Sequence, residues 1–412
     1  MRKQTHPTRV LFLTAGVLGT ATQAKALEAS DILAYNLGPV SIRPHLTVAE
    51  QFTDNLFYSS GVKKSDFVTM VEPNIELRLG HPGGQDQVRM VYQLNSLNYA
   101  ENSSNNALDH TLRLDTDFAG SKLSTSGRDQ VEYLNSIYGG YVTLIQGNST
   151  VSTLGAVKLE RLLYDLDQKL SYSFTEKTQA YVDGSYDVTS FLTPVFLNDV
   201  QVLRGTGGFS YQVTPKTKVF GEIYASQFAS GPNEPSVAKG PHLDLYGGYI
   251  GAEGTFTPKL TGSVKAGYEE SAFADGSPGS SIPVVEAALS YQITDFSQAK
   301  LTYSRRTVIS ITSARVALGR DAIGLNFNQS FGPARHFSLN VAGSVGLYDY
   351  GDLGLYRGRS DTYYNARVNL DYHFRLWLSA GVGYEYERFS SSDPAAIDYA
   401  VNRATVSVVI GY

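Results

Sequence analysis

From Tyr364 to Phe374 the chain alternates strictly. Tyr364, Ala366, Val368, Leu370, Tyr372 and Phe374 form an apolar series, and Asn365, Arg367, Asn369, Asp371 and His373 form a polar one. Successive side chains of a strand point to opposite faces, so this run predicts a strand with one face for an apolar medium and one for water. The next run sets Leu378, Ala380, Val382, Tyr384 and Tyr386 against Ser379, Gly381, Gly383, Glu385 and Glu387, and Phe337 to Leu347 repeats the pattern. An amphipathic helix would space its apolar residues three and four apart, and these runs do not.

Turn signals of a common form punctuate the strands. Phe174-Thr175-Glu176-Lys177, Val213-Thr214-Pro215-Lys216, Phe256-Thr257-Pro258-Lys259, Ile293-Thr294-Asp295-Phe296, Phe331-Gly332-Pro333-Ala334 and Phe374-Arg375-Leu376 follow one another in steps of 39, 43, 37, 38 and 43 residues. Each step holds two strands, one tight turn and one longer loop. The longer connections, 229–242, 274–283, 350–361 and 390–398, are rich in Gly, Ser, Asn and Pro. Short turns at one end and long loops at the other mark an outer-membrane barrel with periplasmic turns. Tyr172, Phe174, Tyr211, Phe256, Tyr291, Phe331, Phe337 and Phe374 are expected to form a girdle at the turn side. Tyr186, Phe228, Tyr268, Tyr303, Tyr348, Tyr384 and Phe389 are expected to form the loop-side girdle.

The N-terminal half threads the same way, with strands near 42–52, 67–79, 86–98, 109–118, 121–133, 151–174 and 178–188 and a turn at His81-Pro82-Gly83-Gly84. Leu159, Leu162, Leu163, Leu166 and Leu170 have helical spacing. A helix there would leave neighbouring strand edges open in lipid, so the strand reading is preferred. The fold class is all-β: a transmembrane, antiparallel up-and-down β-barrel of about 18 strands, an even number as single-chain bacterial barrels require.

Composition agrees. The chain has 28 Tyr, 19 Phe, 39 Gly and no cysteine, which suits strands, turns and aromatic belts and leaves no disulfide or thiolate chemistry. Arg2, Lys3 and Arg9, the apolar run from Val10 to Ala21, and small residues at Ala24 and Ala26 predict a signal peptide over 1–26. Residues 27–41 then form a short periplasmic segment and 42–412 the barrel, in the outer membrane of a Gram-negative cell. The first 26 residues hold four of the 34 basic residues and no acidic one, which leaves 30 against 39 carboxylates, a net of -9. An acidic mature chain argues against a nucleic-acid partner. The expected partners are outer-membrane lipids, lipopolysaccharide and the outer-membrane assembly machinery. Val406, Val408, Ile410 and Tyr412 alternate up to a terminal aromatic, which resembles the strand signature that this machinery reads.

Candidate chemistry is sparse. His45, His81, His110, His242, His336 and His373 are scattered, without the surroundings of a nucleophile triad. Asp54, Asn55 and Asp66 are oxygen-rich like a calcium site, but their spacing is not that of an EF-hand, and Asp-Asn is common turn chemistry. No catalytic, cofactor or metal site is expected. The lumen-lining candidates are Arg113, Asp115, Asp117, Arg161, Asp165, Asp167, Arg367, Asp371, Glu385 and Glu387. Inward carboxylates, which also include Asp183, Asp187, Glu222, Glu253, Glu269 and Glu286, outnumber basic groups and should favour cations. Inward Tyr181 and Tyr249 offer stacking surfaces to a glycan, and the loop 228–243 is the expected restriction.

Arg43-Pro44-His45-Leu46, Phe52-Thr53-Asp54-Asn55-Leu56-Phe57, Ser65-Asp66-Phe67 and Glu72-Pro73-Asn74-Ile75 together resemble the opening of the putative β-barrel porin 2 family. The specific part covers residues 42–79. The resemblance implies an outer-membrane barrel, often linked to exopolysaccharide synthesis or export, and hence exopolysaccharide export components as partners. Fold alone does not fix function. Three classes stand: a porin-like channel or conduit, a structural or adhesive barrel without conductance, and a membrane-embedded enzyme acting on lipid or glycan.

Overall fold

The computed structural model describes residues 33–80, 86–141, 150–151, 153–193, 197–232, 242–277, 279–310, 317–332, 336–350, 358–393 and 398–411. The expected signal peptide and Tyr412 lie outside them. A short strand β1 (Tyr35–Leu37) folds back on β2 (Val40–Thr53), followed by β3 (Asp66–Leu79), β4 (Gln87–Tyr99), β5 (Ala107–Ala119) and β6 (Leu123–Leu134). Three short strands follow, β7 (Ile137–Tyr141), β8 (Thr150–Val151) and β9 (Thr153–Lys158). Then come β10 (Arg161–Ser173), β11 (Thr178–Phe191), β12 (Asn198–Thr214), β13 (Thr217–Pro232), β14 (Leu243–Thr257), β15 (Leu260–Phe273) and β16 (Ser281–Thr294). The chain ends with β17 (Ser297–Ser310), β18 (Ala317–Phe331), β19 (Phe337–Asp349), β20 (Ser360–Arg375), β21 (Leu378–Ser391) and β22 (Tyr399–Ile410).

Each long strand pairs antiparallel with the next, β6 pairs with β10, and β22 closes on β2 through Leu46↔Ile410 to Thr53↔Arg403. Leaving out β1 and β7–β9, the wall has 18 strands. Closure removes every edge, which is what a sheet in hydrocarbon needs. The strand expected over 151–174 is corrected: it begins at Arg161, and residues before it belong to an inward excursion.

The repeated threonine turn has a local cause. In Thr175, Thr214, Thr257 and Thr294 the hydroxyl accepts the amide hydrogen two residues on, from Lys177, Lys216, Lys259 and Phe296, at 3.1 to 3.3 Å. Threonine thus closes its own turn. At the last three of these the register shifts between Gln212 and Thr214, Thr255 and Thr257, and Gln292 and Thr294.

The outer face is an exposed apolar wall. Ile223, Ile250, Val382 and Val406 are more than half exposed, far more contiguous apolar surface than a water-soluble protein shows. The turn-side girdle is as expected, with Phe331, Phe337, Tyr372 and Phe374 in ring contact at 4.7 to 5.3 Å. The loop-side girdle needs correction. Tyr186, Tyr268 and Tyr384 are exposed on the outside, whereas Phe228, Tyr348 and Phe389 are buried inside the barrel mouth.

Candidate functional site: the barrel lumen

The lower lumen is polar. Three cavities share residues and so form one inner surface. The first, about 420 Å³, is lined by His45, Glu72, Glu76, Arg78 and Arg89. The second, about 530 Å³, is lined by Arg89, Arg113, Asp115, Asp117, Arg128, Asp165 and Asp167. The third, about 290 Å³, runs from Asp165 and Asp167 through Lys169, Asp183 and Arg204 to Lys265, Glu286 and Arg306.

Charge along this surface is segregated. On β3 to β6, Arg89, Arg113 and Arg128 converge on Asp115 at 3.3, 2.8 and 3.0 Å, and Arg78 and Arg89 both pair with Glu76. Four guanidiniums meet two carboxylates there. On β10 and β11 the balance reverses. Asp165 stands opposite Asp187, and no cation forms an ion pair with Asp165, Asp167 or Asp183 among the described residues. Further round, charges are matched: Lys265 bridges Glu222 and Glu286 at 2.8 and 3.4 Å, and Arg306 reaches Glu286 at 3.2 Å. Glu385 and Glu387 are matched too, by Arg403 at 3.4 and 2.9 Å, with Arg367 3.3 Å from Glu385. Asp371 shares their inward face, opposite Gly381.

The tyrosine faces are occupied. Lys169 lies 4.1 Å over the Tyr181 ring and Lys265 4.3 Å over Tyr249, which also stacks on Tyr224 at 5.3 Å. Arg204 covers Tyr224 at 3.8 Å. The expected stacking surfaces are therefore corrected to cation–π supports for the lumen cations. The phenols of Tyr181, Tyr224 and Tyr249 donate to Glu222, Glu269 and Glu286.

The mouth is built differently. After β6 the chain turns inward, forms the β7–β9 hairpin, and pairs β8 in parallel with the end of β17 through Thr150↔Ile309 and Val151↔Ser310. Along the wall β17 lies seven strands beyond β10, so β7, β8 and β9 reach from the β6–β10 seam across the mouth to β17. Tyr138 and Leu159 of this segment join Phe191, Val202, Phe228 and Leu243 in one buried apolar cluster. Arg161 is placed at its root, buried, donating to the Ser136 and Leu159 carbonyls with its guanidinium 4.7 Å from the Tyr138 ring. It anchors the excursion instead of wetting the lumen. Of the expected restriction over 228–243, residues 233–241 lie outside the described residues.

The first loop supports this closure. Asp54 accepts from the Asn402 backbone and side chain, both at 2.7 Å. Burial raises its pKa, but these bonds and Lys63 outweigh burial and hold the carboxyl below its usual range. Asn55 bonds Ser59 and the Ala400 carbonyl, and Asp66 accepts from Glu101 and Asn102. These three oxygen-rich residues therefore tie loops to the wall. Tyr58, the one non-glycine residue with positive φ among the described residues (51°), receives a 2.7 Å hydrogen bond from Arg403 and packs edge-on against Tyr399. Burial, with the nearby Glu387 and Glu385 adding to it and Arg403 opposing, pushes the Tyr58 phenol up to about 12. The Phe57 carbonyl accepts from the Ala156 amide at 3.1 Å, joining the two inward segments. Sequence reasoning missed Tyr58 and Arg403. Counting back from outward Val406 and Val408 puts Arg403 on the inner face, which was a usable signal.

The family model described as putative beta-barrel porin 2 matches residues 198–412, beyond the stretch whose motifs carry the resemblance. Among solved structures, the chain is similar to Pseudomonas aeruginosa OpdK with vanillate (8% identity, 90% of this chain and 99% of that chain, TM-score 0.48). It is also similar to OccK2 (OpdF) in complex with glucuronate from the same organism (11%, 90% and 98%, 0.46). A third is that organism's siderophore receptor PirA (8%, 90% and 80%, 0.46). No curated protein matches the sequence.

Proposed function

Because this chain belongs to the putative beta-barrel porin 2 family of outer-membrane proteins, we propose that it is a restricted diffusion channel for small hydrated solutes, with a preference for positive charge. The observation that carries this reading is the continuous polar lumen beneath a mouth crossed by β7, β8 and β9. Cation preference rests on Asp165, Asp167 and Asp183, whose charge no ion pair offsets among the described residues. Unpaired lumen carboxylates attract cations more than paired ones do, because the field of a paired group is largely cancelled nearby.

The narrower link to exopolysaccharide export belongs to the same proposal. It is supported by the hydrogen-bonding groups of the lumen, not by stacking, since the Tyr181 and Tyr249 faces are covered. Concentration-dependent block of the current by a neutral oligosaccharide would favour it. The charge assignment is tested by the reversal potential across a bilayer under a KCl gradient. Wild type should be cation-selective, and Asp165→Asn with Asp167→Asn and Asp183→Asn should move the potential strongly toward zero. Glu385→Gln with Glu387→Gln should move it less. Anion selectivity of wild type, or an unmoved potential in the triple variant, defeats the assignment.

A further inference from the structure

The outer wall breaks its apolar rule at the β6–β10 seam. Asp129 stands in register with Leu114 and Leu166, and Gln168 with Gly127 and Gly184, all on the face that exposes Leu112, Leu170 and Tyr172. Gln168 Nε2 donates to Asp129 Oδ1 at 2.8 Å. Asp129 is six residues from the first residue of β6 and five from the last, so it sits at mid-height of the wall. Other outward charges lie closer to the loop rim: Glu50 is three residues from the end of β2, and Asp321, paired with Arg305 at 3.1 Å, is four from the start of β18.

A mid-height carboxylate facing hydrocarbon is costly, and one neutral amide does not satisfy it. A carboxylate has about four acceptor sites, and the second N–H of a primary amide is free to donate. The pair thus carries an unmet acceptor and an unmet donor at one height. Its surroundings are flat: a Cβ at Gly184 or Gly205 would meet open space, and Gly184 is in register with both Gln168 and Gly205.

We propose that this seam is buried against a second copy of the chain, about a two-fold axis along the membrane normal, with Gln168 of each copy donating to Asp129 of the other. The partner is a second copy because the pair is self-complementary, and copies inserted in one orientation present it at the same depth. Small residues beside it let the two walls approach. Lipid headgroups do not reach mid-height.

The chain has no cysteine, so single cysteines report the contact cleanly. Leu166→Cys lies beside Asp129, and Leu325→Cys lies on the far side of the barrel, exposed on the outer face of β18. Oxidation of outer membranes with copper phenanthroline should link Leu166→Cys into a pair of this chain and leave Leu325→Cys single. Adding Asp129→Leu and Gln168→Leu should lower the linked yield several-fold while the amount of heat-modifiable barrel stays the same. No linked pair, linkage to a different protein, equal linkage at Leu325→Cys, or an undiminished yield in the combined variant each overturns the proposal.

Discussion

Replacing Val368 with arginine is expected to destabilise the folded barrel by about 2 to 4 kcal/mol, whereas Asn369→Arg is expected to be tolerated. Val368 lies near the middle of β20, is 43% exposed on the outer face, and pairs with Val341 and Tyr384 on the neighbouring strands. A guanidinium there has hydrocarbon around it and a long way to either interface. Asn369 is one residue along and points into the lumen, where its side chain lies against Gly383. Denaturant titration of the barrel refolded into vesicles measures both. Equal losses would mean that the two faces of β20 have been exchanged.

Arg403→Met is expected to have the second large effect, a loss of about 3 kcal/mol, because removing one partner of a buried ion pair leaves its counter-charge desolvated. Arg403 and Glu387 retain 14% and 8% side-chain exposure and meet at 2.9 Å, and the Tyr399 phenol donates to the same carboxylate at 2.7 Å. The same substitution frees Tyr58, so the first loop loses its hold on the wall. Adding Glu387→Gln should restore most of the stability without restoring the Tyr58 contact. If Arg403→Met unfolds no more readily than wild type, the cluster at the mouth is not what holds the first loop.

What the sequence made legible follows from where the two-residue period has a physical cause. Lipid lies on one side of β20 and water on the other, so Val368 and Asn369 declare their faces directly. The same logic put Asp165 and Asp167 on the inner wall. It failed at the mouth, where the inner side is covered by chain instead of water. Phe228, Tyr348 and Phe389 point inward and pack in buried clusters, so their aromaticity looked like that of an interfacial girdle. Leu159 and Leu163 are apolar for the same reason, which let β9 read as a continuation of the wall strand β10. Tyr181 and Tyr249 were placed on the correct face. Their ring faces were still unreadable, because Lys169 and Lys265 reach them from a neighbouring strand and only the register brings these pairs together. The Tyr58–Arg403 contact was hidden by sequence separation, with the two residues near opposite ends of the chain.

The proposed restriction over an otherwise continuous polar lumen is the crossing of the mouth by β7, β8 and β9. Leu159 N donates to Ser136 O at 3.4 Å, so the two ends of the excursion already meet and a short Gly-Ser link can replace residues 138–157 without pulling β6 from β10. Single-channel recording in a planar bilayer compares this variant with wild type. Wild type should show small, discrete conductance steps, and the shortened variant steps several-fold larger with the same sign of ion preference. Identical steps in the two proteins, or silence in both, would contradict a lumen restricted at the mouth by this segment.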